Sequence, residues 1–261
     1  MTATKKTIIM IHGFRGTHHG LQLIAEQLPE YNLTIPDLPG FAEGESLPSY
    51  DLDAYVLWLH NLIERQNLKK PPILLGHSFG SIITAAYAAK YPKTIEKLIL
   101  VNPIGAPALE GPRAVLTQLA LFYYWVGRKL PTRIANKWLA AKPVVVIVTL
   151  SMTKTKDKAV RAYIHNQHFR YFSLFHDKKS LSESFTTSVS HNVRETAGDI
   201  SVPTLLIVGA NDDITPLHKQ KELVEMFSDG KLHVIKKVGH LTHYETPDQV
   251  ADAIKNFTNR K

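Results

Sequence analysis

The sequence predicts an α/β protein: a mostly parallel central sheet with helices on both faces and a helical cap inserted into it. Three observations predict it. Short β-prone apolar runs alternate with amphipathic stretches over residues 1–104, the rhythm of strands joined by right-handed helical crossovers. The same rhythm returns over residues 196–261. Between them, residues 105–195 lose it and read as helices punctuated by Pro107, Pro112, Pro131 and Pro143. The expected division is therefore one body, 1–104 with 196–261, and a lid-like insertion over 105–195.

Each element has its own signal. Thr7-Ile8-Ile9-Met10-Ile11 is an unbroken apolar run, as expected of a strand buried on both faces. Residues 21–28 have helical spacing and stop at Pro29. Leu33-Thr34-Ile35 reads as a short strand, ended by the turn-rich Pro36-Asp37-Leu38-Pro39-Gly40. Leu52, Tyr55, Val56, Leu59 and Ile63 share one helical face. Pro72-Ile73-Leu74-Leu75 is a strand that runs straight into Gly76-His77-Ser78-Phe79-Gly80, followed by a helix over 81–91. Residues 97–101 are the next strand. Val144 to Val148 fits a strand or a buried helix equally well. Residues 203–209 and 232–238 read as strands, and 217–227 and 247–257 as helices.

Composition excludes several functions. The 261 residues are 44% apolar and 21% charged and include no Cys. Disulfides, thiolate metal sites and a cysteine nucleophile are thereby removed. The uncharged stretches 114–127 and 143–153 fall short of the ~20 apolar residues of a spanning helix. The apolar run behind Lys5-Lys6 is too short for a signal peptide, so a cytoplasmic location is expected.

The net charge of +8 is unevenly spread. Residues 105–195 hold 14 Lys and Arg against 5 Asp and Glu, while the flanking parts are close to neutral. Eleven of the 23 aromatic residues lie there too. Three readings suit such a segment: a solvated helical surface, a surface that attracts anionic amphiphiles or membrane interfaces, or a nucleic-acid site. No nucleic-acid-binding signature accompanies it, so no nucleic-acid partner is expected. Weak contact of the basic lid with a membrane surface or anionic amphiphile remains open.

The most informative segment is Gly76-His77-Ser78-Phe79-Gly80. A strand feeds it and a helix leaves it, the setting in which a serine sits on a sharp turn with Oγ exposed above the sheet. Glycines flank the serine because such a turn leaves little room for side chains. The helix N-terminus offers positive partial charge to a developing oxyanion. Ser78 is thus a candidate nucleophile, the bland alternative being a serine that caps its helix.

With this context the chain resembles the α/β-hydrolase family along essentially its whole length. His12-Gly13-Phe14-Arg15-Gly16 is similar to the family's His-Gly turn, which implies oxyanion-hole N–H groups from Phe14 and from Phe79. Asp37-Leu38-Pro39-Gly40-Phe41 is similar to the family's Asp-x-Pro-Gly-x turn, although the usual Gly-x-Ser is stretched here to Ala42-Glu43-Gly44-Glu45-Ser46. Among thirteen histidines, His240 in Val238-Gly239-His240 matches the family's terminal Gly-His, with His243 as rival. The loop Gly209 to Pro216 matches Gly-x-x-Asp-x-x-x-Pro and selects Asp212 over Asp213 as the acid. His77 is expected to be structural, with its side chain pointing away from the Oγ direction.

The resemblance implies acyl transfer to water, since members that open epoxides or displace halide carry Asp where this chain has Ser78. A carboxylic ester is the expected substrate. The alternatives are C–C cleavage of an acidic diketone-type substrate and a catalytically idle ligand-binding member. Neither cofactor nor metal is implied. Arg15, Phe122, Trp125 and Phe172 are the candidate substrate contacts, Arg15 either greeting a carboxylate or standing solvated.

Overall fold

The computed structural model describes residues 5–108 and 114–259. Among them six strands form one sheet: β1 (Thr7–Ile11), β2 (Asn32–Thr34), β3 (Ile73–His77), β4 (Lys97–Val101), β5 (Thr204–Gly209) and β6 (Gly230–Ile235). Their order is β2-β1-β3-β4-β5-β6, and every neighbouring pair is parallel. The central strands β3, β4 and β5 are buried at every position. Helices cover both faces of a parallel sheet, which is why these strands read as unbroken apolar runs. Each fully buried Ile or Leu contributes about 1.5–3 kcal/mol. Ile11 stands beside Gly76 and His77 beside Val101, so β1, β3 and β4 end level and their outgoing loops share one edge.

On one face α1 (Gln22–Glu26) and α11 (Pro247–Thr258) pack Ile24, Val250 and Ile254 on Ile8, Met10 and Ile99. On the other lie α2 (Leu52–Arg65), α3 (Phe79–Lys90) and α9 (Leu217–Val224), with Leu59, Ile83 and Leu223 in a core that includes Leu74, Leu98 and Leu206. A single turn, α10 (Thr242–Glu245), precedes α11. Several strand ends differ from expectation: β2 runs one residue earlier at both ends, β3 runs from Ile73 to His77, β5 begins at Thr204, and β6 starts two residues earlier and stops at Ile235, two residues before Lys237 turns to φ 63°.

Between β4 and β5 the described chain is helical: α4 (Ala114–Lys129), α5 (Thr132–Leu139), α6 (Lys142–Met152), α7 (Lys158–Tyr171) and α8 (Lys178–Ser190). Val144 to Val148, ambiguous from sequence, is helix because Pro143 occupies the first turn of α6 and starts it. The Asp157 carboxylate caps α7 by accepting from the N–H groups of Ala159 and Val160, and Asp177 caps α8 in a reciprocal pair with Ser180. Phe41 bridges Phe175, and the Tyr55 and Ser184 hydroxyls meet at 2.8 Å, tying the helical segment to the body.

One expectation is corrected here. Thr132–Met152, 21 residues, is long and apolar enough to cross a membrane by length and composition, although only 22% of its most apolar window is buried. It is folded as two helices broken at Ala140 and Ala141, because Pro143 has no N–H to continue the first.

Candidate active site

Ser78 lies between β3 and α3 at φ 52°, ψ −118°. Positive φ is uncommon for a residue with a Cβ and is held here by its surroundings. The Ser78 N–H donates to the Val101 carbonyl, and its own carbonyl accepts from the Ser81 N–H at 2.9 Å. A Cβ on Gly76 would strike the Thr84 hydroxyl and the Gly80 carbonyl. A Cβ on Gly80 would strike the carbonyl oxygens of Ile11 and His12. The turn is therefore closed to any residue but glycine on both sides of the serine.

Three distant segments meet at this turn. Ser78 Oγ is 2.9 Å from His240 Nε2, and His240 Nδ1 is 2.7 Å from Asp212 Oδ2. His240 follows β6 and Asp212 follows β5, so both sit at the strand-end edge with Ser78. The carboxylate of Asp212 also accepts from the N–H groups of Ile214 and Thr215 through Oδ1, and from the Thr215 hydroxyl through Oδ2. Burial alone would push its pKa up. The charge of His240 and the hydrogen bonds from His240 and Thr215 outweigh that and hold it well below the usual carboxylate range. Asp213, by contrast, is exposed and pairs with Lys154.

Asn102 was not singled out from the sequence. It ends β4 at φ 45°, fully buried, and its Nδ2 donates to Asp212 Oδ2 at 2.7 Å while its Oδ1 accepts from the Thr242 hydroxyl. The available signal was an asparagine, with Pro103 behind it, closing the apolar run Leu98 to Val101.

The Phe14 and Phe79 N–H groups have no acceptor among the described residues. The Phe79 N–H is the first of α3, where helical geometry supplies no partner. The Phe14 ring is fixed edge-on by Phe41, Phe79 and Tyr124, at centroid distances of 5.8, 6.4 and 5.9 Å. His12, buried behind this turn, accepts the Leu38 N–H through Nε2 and faces the Gly13 carbonyl through Nδ1, which assigns its proton to Nδ1.

Other histidines crowd the site. The His77 ring lies 4.1 Å from that of His243 and 5.4 Å from that of His240, tilted to both, and its Nε2 faces the His240 carbonyl. Burial, then the neighbouring His240, lowers His77 to about 3, and burial lowers His12 and His168 to about 4. His243 is driven well below its ordinary value by burial and by His77. It is buried, and the contact with Ser78 Oγ is made by His240 and not by this rival.

A cavity of about 70 Å³ lies over Ser78, walled by Phe14, Leu21, Leu241 and, from the helical segment, Met152, Tyr171 and Phe172. Phe172, one of the candidate substrate contacts, is among these walls. Phe122 and Trp125 are not: they stack on each other, 63% and 51% exposed, on the far side of α4. The inward face of α4 carries Tyr124 and Gly127 instead. Arg15 is corrected as well. It is 2% exposed, and Nε, Nη1 and Nη2 donate to Phe172 O, Tyr124 Oη and Leu139 O. Its guanidinium lies 4.3 Å over the Phe172 ring, so it is a brace between loop and helices, neither solvated nor open to a carboxylate.

A family model described as alpha/beta hydrolase fold matches residues 6–247. Lipase 1 of Psychrobacter immobilis is 28% identical over 262 residues, 96% of this chain and 76% of that protein. The 2-hydroxy-6-oxononadienedioate/2-hydroxy-6-oxononatrienedioate hydrolase 1 of Pseudomonas putida is 26% identical, over 97% of this chain and 88% of its own. Among solved structures, a thermophilic esterase from Thermogutta terrifontis superposes with a TM-score of 0.79 at 21% identity, covering 98% of this chain and 90% of the other.

Proposed function

The chain belongs to the alpha/beta hydrolase fold family, and we propose that it is a serine hydrolase of carboxylic esters working through an acyl-enzyme on Ser78. The observation that carries this reading is the relay of two short contacts, Ser78 to His240 at 2.9 Å and His240 to Asp212 at 2.7 Å. The kinship with a lipase adds to it.

In this mechanism Ser78 Oγ attacks the ester carbonyl as its proton passes to His240 Nε2. Asp212 stabilises the imidazolium and fixes the tautomer that leaves Nε2 free to accept. The Phe14 and Phe79 N–H groups stabilise the oxyanion. The tetrahedral intermediate collapses, the alkoxide leaves with the proton from His240, and the acyl group stays on Ser78. Water repeats the sequence and releases the acid. Residues 105–195 act as the lid, supplying Met152 and Phe172 to the pocket and excluding bulk water.

The test is acylation by an activated aryl ester. The protein should give a burst of phenolate equal to one acylated site, and Ser78→Ala should give none. An undiminished burst from the variant would sink the assignment.

The relative that hydrolyses an oxo-dienedioate keeps C–C cleavage as the second reading. Such a substrate carries carboxylates, and Arg15, the one Lys or Arg among the described residues that wall the cavity, is engaged by protein acceptors. That favours the neutral ester. Competition between an aryl ester and a vinylogous diketone acid separates the two.

A further inference from the structure

We propose that the outward face of α4 and α5 docks on an anionic lipid surface. A surface helix ordinarily turns its apolar stripe inward. α4 presents one outward: Val115, Leu119, Phe122 and Trp125 follow helical spacing, and each is more than half exposed. The Phe122 and Trp125 rings stack at 5.9 Å, on the side of α4 away from the cavity at Ser78. α5 adds Ile134 and Trp138, 55% and 42% exposed. Trp138 Nε1 donates to the Tyr123 carbonyl and the Tyr123 hydroxyl to the Trp138 carbonyl, so the two stripes adjoin. Beside the stacked pair runs a groove of about 360 Å³, walled by Leu121, Phe122, Trp125 and Phe185. An uncovered apolar face of this extent marks an interaction site rather than scattered exposure.

Charge identifies the occupant. Residues 111–156 contain eight Lys and Arg and no Asp or Glu. Arg128, Lys129, Arg133 and Lys137 are exposed on α4 and α5 and take part in no ion pair among the described residues. Aromatic and aliphatic side chains flanked by unneutralised cations suit the headgroup region of a bilayer: rings at the depth of the ester carbonyls, Lys and Arg stems reaching lipid phosphate. A nucleic acid would use the cations and the rings but leave Val115, Leu119 and Ile134 in water. Docking by this face would bring lipid against the same helical segment whose Met152 and Phe172 wall the cavity at Ser78.

The experiment is co-sedimentation of the full chain with vesicles of phosphatidylcholine, with and without equimolar phosphatidylglycerol. The protein should pellet with the mixed vesicles, about tenfold less with phosphatidylcholine alone, and be released by salt. Phe122→Ser with Trp125→Ser, and separately Lys129→Glu with Arg133→Glu, should each lower the bound fraction about fivefold. Unchanged thermal midpoints would show that these exposed positions leave the fold intact. Protein that stays in the supernatant with anionic vesicles overturns the proposal. So does aromatic-variant protein that pellets like the wild type. A dimer abolished by the aromatic variant, or binding to an oligonucleotide, either one without vesicle binding, assigns the face to that partner and overturns it too.

Discussion

Arg15 Nη2 donates to the carbonyl of Leu139 at 2.8 Å, and Leu139 is the residue whose carbonyl an unbroken helix would offer to position 143. Pro143 has no N–H to give. The arginine therefore satisfies an acceptor that the break between α5 and α6 exposes, while its other nitrogens hold Tyr124 of α4 and Phe172 beyond α7. Arg15→Ala should leave these acceptors buried and unpaired, costing about 2–4 kcal/mol. Urea unfolding would measure the loss, and proteolysis should become faster within 114–172. Arg15→Lys, a single point donor, should recover only part of it.

The two neighbouring aspartates should part sharply. Asp212→Asn removes the acceptor of His240 Nδ1–H and should lower kcat by about 10⁴-fold. Asp213→Asn weakens an exposed pair with Lys154, away from His240, and should stay within about threefold. Steady-state hydrolysis of one aryl ester by both variants decides between them.

Asn102 should matter through Asp212. Asn102→Ala removes a charge-assisted hydrogen bond to a buried carboxylate, worth about 1.5–3 kcal/mol. Asn102→Asp would set a second carboxylate against the first and add negative charge beside the His240–Asp212 contact. The acid limb of the pH–rate profile should then move to higher pH, a change that a purely structural role would not produce.

Buried neutral histidines should make the fold acid-sensitive. Burial holds His77 at about 3, His12 and His168 at about 4, and His243 well below its ordinary value. The unfolded chain takes up protons at these sites near pH 6.5, and the folded chain does not. Stability is therefore fully present above about pH 6.5 and is lost as pH falls toward the folded values, by up to ~1.4 kcal/mol per pH unit for each group. Denaturant midpoints between pH 7 and pH 4.5 should trace this slope, and His168→Gln should flatten it.

The sheet was legible because strands buried on both faces leave a signal that needs no partner information: Ile8 to Ile11, Leu98 to Val101 and Leu205 to Val208 are apolar whatever else they touch. The turn at Ser78 was legible for a related reason, since its glycines answer to clashes within the local chain and with β1. Arg15 was not. Its burial depends on Tyr124, Leu139 and Phe172, more than a hundred residues away, and a lone charge in a loop has no periodicity to expose it. Phe122 and Trp125 misled because α4 is apolar on nearly every side, so spacing alone does not say which stripe turns inward.

Gly80 carries a consequence of a different kind. Its bare Cα rests against the carbonyls that close β1, just before the loop that bears Phe14, while Phe79 stands immediately before it. The spacing between the two N–H groups proposed to hold the oxyanion is thus gauged by a methyl group that is not there. Even alanine at position 80 would act as a wedge, prying α3 from β1 and widening the grip while every reacting side chain kept its identity.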